Sequence, residues 1–344
     1  MADDRGGETG TYPVVMARSH LTLAALATSA VPGLDVIGAQ PFGAPGGDYD
    51  AALLTGRDGR HWIVRVPRSE RAEAAQSADL VALRALSAGV RARLPFELSS
   101  YAGQVPVDGT RAVVSEFVYG SKVPLGSMSV ELAASVGSAI AAIHSLPVTV
   151  VTDVGLPALS AVDALRSVAS LLERAAATGL VPAALLQRWG SAVEASTLWQ
   201  FSPTVINGAL GSDSFLCTSE AVTGVLDWHA LSVGDPAQDL AWLLAGRTPE
   251  LADAAFAAYS RSRGTVDRQL RQRATLLAEL ELARWLLHGT DTRSTEIVDD
   301  AVQLMSGLVD DVHQDLMNPI GPQTMPILAV DEVEALLDRT ERVR

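Results

Sequence analysis

Cysteine is almost absent from this sequence. Cys217 is the only one in 344 residues, so no disulfide can close within the chain and no cysteine metal cluster can form. A reducing, cytoplasmic setting fits that usage. Lysine is just as scarce, Lys122 standing alone among cations that are otherwise arginine; with abundant alanine, this reads as compositional bias rather than a functional signal. Basic charge is in short supply as well, with 26 Lys and Arg against 40 Asp and Glu and a formal net charge of −14. The arginines are scattered, and without a basic stripe to neutralise a phosphate backbone, nucleic acid is excluded as a partner. Long hydrophobic runs are missing too. No run reaches the roughly 20 residues that span a bilayer, so a soluble chain with no membrane partner is expected. The apolar run LTLAALATSAV, Leu21 to Val31, lies behind the acidic Asp3, Asp4 and Glu8 and stops at Pro32-Gly33, which favours a buried helix over a secretory signal.

What remains is a globular composition, 48% hydrophobic and 19% charged, in a chain long enough for two lobes. Residues 1–18 are polar, Gly-rich and expected to be loose. A helix is predicted over 21–30. Three strands then follow near 34–39, 49–55 and 61–66, the last with near-alternating apolar residues. PFGAPGGD joins the first two, and GRDGR, with its Asp58-Gly59 turn signal, joins the second and third as a hairpin. A helix over 70–88 and strands near 96–101 and 111–117 complete this part. From Ser129 onward the pattern turns helical, over 131–145, 161–176, 182–194, 249–263, 266–288 and 295–314, interrupted by a β-rich insert at 204–226. The order predicts an α+β architecture. An antiparallel β-sheet lobe over 19–120 precedes a mostly helical lobe over 121–317, with the boundary near Gly120 to Ser127. NPIGPQTMP is a breaker-rich linker, and 318–344 are expected to hold that linker and a final amphipathic helix over 330–340. Such a helix can pack back on the body or bind a protein partner.

The chemistry concentrates in VTGVLDWHALSVGDPAQDLAWLL, Val222 to Leu244. A strand ends at Asp227, where one carboxylate plus substrate oxygens can hold a hard cation such as Mg²⁺. Asp235 and Asp239 follow in a turn and are read mainly as caps. This segment, together with WIVRVPR (62–68), SEFVYG (115–120), AIAAIHSLP (139–147), PAALLQRW (182–189) and LWQFSPTVING (198–208), resembles the aminoglycoside phosphotransferase family. The closest likeness is to the macrolide 2′-phosphotransferases. The likeness spans roughly residues 20 to 315.

The resemblance implies a protein-kinase-like two-lobed fold binding ATP or GTP with Mg²⁺, and a hydroxylated small molecule as acceptor. It brings the nucleotide loop to PFGAPGGDYD, where Gly43, Gly46 and Gly47 let backbone amides approach phosphate. The phosphate-anchoring cation falls on Arg65, and its acidic helix partner on Asp79, with Glu73 as a second possibility. Ser115, Glu116, Phe117 and Val118 become the hinge that holds the base. His144 becomes a structural histidine, and Asp227 a metal ligand. Helices near 161–176 and 266–288 are expected to shape the acceptor pocket.

One loop departs from that pattern. The family word is His-Gly-Asp-Leu, three residues, then Asn, where Asp serves the substrate hydroxyl and Asn helps to hold metal. INGALGSDSF aligns with it without a gap. Asn207 stands at the histidine, Ala209 at the catalytic aspartate and Ser214 at the metal asparagine. Alanine can accept no proton, and losing a general base costs about 10²- to 10⁴-fold in rate. Asp213 and His229 are the neighbours to consider as substitutes, but neither is evidently placed within reach of the hydroxyl, and both read first as surface or turn residues. The sequence therefore favours a nucleotide-binding, catalytically impaired phosphotransferase-like protein, a pseudokinase. The alternatives are an active antibiotic-type O-phosphotransferase with a rearranged site, and a binding module whose nucleotide site is dead.

Overall fold

The computed structural model describes residues 17–44, 46–246, 248–264, 267–314 and 320. The expected loose segment up to residue 16 and the expected C-terminal helix over 330–340 lie outside them. The chain divides into two compact units, the described parts of Met1–Ser160 with Pro203–Thr265, and of Ala161–Ser202 with Val266–Arg344.

The first unit opens with helix α1 (His20–Ala30), whose N-cap Ser19 Oγ accepts from Thr22 N–H at 3.1 Å. Strands β1 (Val36–Pro41), β2 (Tyr49–Gly56) and β3 (His61–Pro67) follow. After helix α2 (Glu70–Ala85) and the short α3 (Ala88–Arg91) come β4 (Tyr101–Val107) and β5 (Thr110–Glu116). These five strands form one antiparallel sheet in the order β1-β2-β3-β5-β4. Both tight hairpins are built on left-handed turn residues. Gly59 has φ +79 between β2 and β3, and Asp108 and Gly109 have φ 46 and +80 between β4 and β5, the twist that suits two-residue β-turns. Strand β2 alternates half-buried and buried positions along its whole length. Its buried side chains Ala52 and Leu54 join Trp62, Val64, Val66, Ala112 and Val114, with Leu23 and Ala27 of α1, in one apolar core.

One predicted strand is displaced. The segment expected as a strand over 96–101 is mostly not in the sheet, where β4 runs over Tyr101–Val107. Gly103 and Pro106 obscure that strand in the sequence. Pro is tolerated because β4 is an edge strand. Gly103 is required because a side chain there would come within 2.1 Å of Ala30 O at the end of α1. Glu97 instead makes a parallel bridge with Gly224.

The helical part of this unit comprises α4 (Val130–His144), the short α5 (Thr149–Thr152) and, later, α8 (Pro249–Arg263). Between α5 and α8 in sequence lie the β pairs that carry the chemistry. These are β6 (Thr204–Ile206) with β9 (Ser232–Gly234), and β7 (Phe215–Cys217) with β8 (Val222–Val225), both antiparallel.

The second unit is helical, with α6 (Ala161–Ala177), α7 (Ala183–Glu194), α9 (Leu270–Thr292) and α10 (Thr295–Gln314). Its core gathers Leu185, Trp189, Leu276, Leu280, Leu286 and Met305. A buried charge is matched inside it, Arg188 pairing with Glu279 at 2.8 Å while Trp189 Nε1 donates to the same carboxylate at 2.9 Å. Among the described residues no helix is long and apolar enough to cross a membrane.

Candidate functional site

The first unit contains a cavity of about 750 Å³. Its wall brings together stretches far apart in sequence. Gly43 and Gly47 come from the β1–β2 loop, Arg65 from β3, Ser115 to Val118 from the end of β5, Asp213 from the loop before β7, and Asp227 from the exit of β8. Gly46 is not part of this lining, although its φ of +79 helps to turn the same loop.

The backbone explains why these groups converge. Arg65 pairs in register with Ala51 of β2 and Val113 of β5, near the centre of the sheet. Phe117 N–H donates to His61 O at 3.0 Å, so Val118 is the next hinge position with an N–H, and that N–H has no partner among the described residues. The Glu116 carboxylate is engaged by Arg60. At the rim, Phe42 of the glycine loop meets Phe117 edge-on at 6.2 Å, and Phe117 meets Tyr119 at 5.0 Å. Tyr119 is held in turn by a 2.8 Å hydrogen bond between its hydroxyl and His61 Nδ1.

The loop INGALGSDSF is clamped from behind by Asp239, fully buried. Its Oδ2 accepts from Asn207 N–H at 2.7 Å and its Oδ1 from Gly208 N–H at 2.8 Å. His144 Nε2 is hydrogen-bonded to Oδ2 at 3.1 Å, and its Nδ1 to the Tyr259 hydroxyl at 2.9 Å. Asp239 and His144 thus form a buried support and do not line the cavity, as expected of a cap and a structural histidine. Asp235 caps a turn, accepting from Ala237 N–H at 2.9 Å.

Asn207 has no exposed surface. Its Nδ2 donates to Asp227 O at 3.2 Å and its Oδ1 accepts from Ala209 N–H at 3.2 Å. It ties the start of the loop to the backbone of Asp227, a positioning role that leaves no atom for proton transfer. Gly208 has φ +85, and a Cβ there would lie 2.5 Å from Ala230 O, so only glycine fits. Ala209 is exposed and offers a methyl group. Ser214 is buried and turned back on its own loop, its Oγ accepting from Gly211 N–H at 3.2 Å, while its carbonyl accepts from Leu226 N–H at 2.8 Å. Asp213, one residue earlier, is exposed and lines the cavity.

Asp227 adopts a left-handed φ of 58, uncommon for a residue with a side chain and concentrated at functional sites. The next residue is held by Asp79, whose Oδ1 accepts from Trp228 N–H at 2.7 Å. Asp79 and Arg65 form no ion pair within 4.0 Å among the described residues, nor do Glu73 and Arg65. Arg65 and Asp79 do share a small polar pocket of about 30 Å³ with Tyr49, Asp227 and His229. Burial pushes the Asp79 carboxyl up, opposed by the Trp228 N–H and then by Arg65. Burial also pushes the Tyr49 hydroxyl up, opposed by Arg65, whose guanidinium lies 6.0 Å from the tyrosine ring.

Among the described residues, no three of His, Cys, Asp and Glu gather as a metal cluster. Two carboxylates on one wall, Asp213 and Asp227, suit Mg²⁺, which keeps waters and takes phosphate oxygens beside one or two protein ligands. Sequence reasoning passed over Lys122, which also lines the cavity. Its only signal was that the chain has no other lysine.

Comparison with solved structures finds the same fold. The apoenzyme of macrolide 2′-phosphotransferase MphH from Brachybacterium faecium superposes with a TM-score of 0.68 at 21% identity, covering 83% of this chain and 97% of that one. Macrolide 2′-phosphotransferase type I gives 0.66 at 24% identity, with 83% and 95% covered. The GDP and kanamycin complex of APH(2″)-IIia gives 0.68 at 19% identity, with 86% and 100% covered. No curated protein sequence matches. The family model described as the phosphotransferase enzyme family, APH, matches residues 43–286. With that match, and with a kinase-like α+β fold built around the antiparallel sheet, the chain belongs to the APH phosphotransferase family.

Proposed function

We propose that the chain binds a Mg²⁺-nucleotide, ATP or GTP, in the 750 Å³ cavity and that its phosphoryl-transfer activity is impaired. The observation that carries this reading is the state of the loop at Asn207 to Phe215. The position of the family aspartate is an exposed methyl group, Ala209. The position of the family asparagine, Ser214, spends its hydroxyl on Gly211 N–H.

The nucleotide part is supported by the company Arg65 keeps. It shares the cavity wall with Gly43, Gly47 and Asp227, and arginine suits phosphate oxygens through its fork of donors. The relatives solved with GDP point the same way. In this reading Val118 N–H meets the base, Arg65 the phosphates, and Asp227 with Asp213 the metal, which supplies charge neutralisation of the phosphates when bound. Asp79 and Asn207 hold Asp227 in place. The acceptor is a hydroxylated small molecule, the class to which the kanamycin of the relative belongs.

A second reading is favoured by one observation, the exposure of Asp213 on the cavity wall. A carboxylate there can take over metal or proton duties and keep the protein an active transferase.

Melting the purified protein with and without Mg-ATP and Mg-GTP tests the binding. At 100 times Kd a ligand of the folded state adds about 2.7 kcal/mol, a shift of several degrees. No shift with either nucleotide would falsify the nucleotide reading. Nucleotide hydrolysis by the A209D/S214N variant tests the impairment. The double variant is expected to exceed the unmodified protein by about 10²-fold or more. An unmodified protein already turning over at about 1 to 100 per second favours the second reading instead.

A further inference from the structure

We propose that the first unit carries a second binding site, for a small carboxylate with an apolar body, on the face of the sheet opposite the candidate nucleotide cavity. Its walls come from the α1–β1 connection and the β2–β3 turn, and it encloses about 620 Å³, a volume within the range of small-molecule sites. Strand alternation separates the two sites. Ile63 and Arg65 of β3 line the first cavity. Trp62, Val64 and Val66 of the same strand belong to the core beneath α1, and Trp62 lines the second cavity.

One buried group there lacks a partner. Trp62 is 7% exposed, and its Nε1–H is buried with no acceptor among the described residues. Each of the other five tryptophans donates its indole N–H to a protein oxygen. Leaving a buried donor unpaired is costly and uncommon in native folds. Gly56 keeps the approach to this N–H free of a side chain, because a Cβ there would lie 3.5 Å from Nε1. Arg60 supplies the cover, its guanidinium lying 4.7 Å from the indole centroid. That side chain is 55% exposed and tied down by an exposed ion pair with Glu116, a weak tether. Swinging it aside opens the indole to the cavity.

The charges on the wall select the ligand. Arg57 and Arg60 stand against Asp35 and Asp58, with Glu116 behind Arg60. Such a near balance suits a monoanion and disfavours a phosphate dianion. Asp58 is spent on its own turn, accepting from Arg60 N–H at 3.0 Å. Arg57 engages Asp35 through Nε alone, at 2.6 Å, so among the described residues its two Nη groups keep their donors. A carboxylate brings one oxygen for the indole N–H and one for the Arg57 fork. Val31, Pro32 and Leu34 offer an apolar wall for the rest of the molecule.

The unpaired indole is also the reporter. Six tryptophans give six indole signals in a proton–nitrogen correlation spectrum, and triple-resonance assignment identifies that of Trp62 without any variant. Benzoate is the probe, with benzamide as its neutral counterpart and inorganic phosphate as the alternative anion, all at constant ionic strength. Titrating benzoate into the full-length protein is expected to move the Trp62 signal downfield along a saturable curve, as the N–H gains an acceptor, while the other five stay in place. Benzamide should bind about 5-fold or more weakly, since its oxygen carries no charge. Arg57→Gln changes a side chain that is 70% exposed, so the fold should survive, and it is expected to weaken benzoate about 5- to 10-fold. A Trp62 signal that does not saturate, or that moves only in step with all six, overturns the proposal. So does equal binding of benzamide, saturation by phosphate in place of benzoate, or an Arg57→Gln variant that binds benzoate as tightly as the unmodified protein.

Discussion

Asp79 carries its carboxylate to a place where burial disfavours charge, and burial is the largest influence raising its pKa above the usual carboxylate range. Asp227 adds to the rise, while the Trp228 N–H, Arg65 and His229 oppose it. An acid whose folded-state pKa exceeds its unfolded value holds its proton more readily when folded. Its contribution to stability is therefore lost as pH rises from the unfolded range, about 4, through the raised folded value. Asn at this position keeps an oxygen for Trp228 N–H and never ionises. Asp79→Asn is expected to be more stable than the unmodified protein at neutral pH, with the difference shrinking as pH falls towards about 4. Asp79→Ala leaves the Trp228 N–H without its acceptor and should cost about 1–3 kcal/mol. Urea unfolding at both pH values checks this, and an Asn variant that gains nothing at neutral pH relative to acid contradicts it. The resemblance places the helix acid on Asp79 by the spacing in DLVALRAL, but the ion pair with Arg65 that it implies does not form among the described residues. The hydrogen bond of Asp79 to a residue 149 positions away has no local pattern to betray it. The same holds for Asn207, whose tie to Asp227 O spans 20 residues. Side-chain chemistry at the site is legible one residue at a time, and partnerships set by tertiary approach are not.

At the scale of elements, what is local in sequence is what reads most cleanly. The hairpin of β2 and β3 follows from alternation plus Asp58-Gly59, and α8 from Pro249 at its first turn and Gly264 at its end. Strand β4 is displaced from its expected place because its glycine answers to α1, an element some 70 positions earlier in the chain. Gly137 in α4 answers to a distant element in the same way. A Cβ on it would come within 2.0 Å of Ala255 O in α8, so the two helices touch backbone to backbone at that point. Nothing flexible can yield, since the obstructing atoms are main chain. Gly137→Ala is expected to destabilise the first unit by about 2–4 kcal/mol, beyond the usual cost of overpacking and against the gain that alanine ordinarily brings to a helix interior. Gly126 provides the control, because a Cβ added there would meet nothing within 4 Å. Gly126→Ala should stay within about 0.5 kcal/mol of the unmodified protein. Chemical denaturation of the two variants side by side decides it. Equal stability would mean that α4 and α8 can separate without cost.

At the scale of the whole molecule, a net charge of −14 surrounds a cavity that, in the proposed reading, takes a polyanion. Two terms then compete as nucleotide approaches. The summed charge repels it over distances comparable with the Debye length, about 10 Å at 0.1 M salt and about 30 Å at 0.01 M. Arg65 and Lys122 on the cavity wall attract it at hydrogen-bond range, where screening is weak. Salt should therefore remove the repulsion first. The association rate of metal-free ATP is expected to rise as ionic strength increases from about 0.01 to 0.1 M, the reverse of the usual fall for electrostatically steered ligands, while the dissociation rate changes little. Mg-ATP carries less charge, so its rate should rise less. Stopped-flow binding with both forms measures the difference. An association rate that falls with salt would show that the local field of the two cations reaches beyond the cavity mouth and governs the encounter. In that case Lys122→Ala should flatten the salt dependence, because it removes one of those two charges without altering the −14 background by more than a single unit.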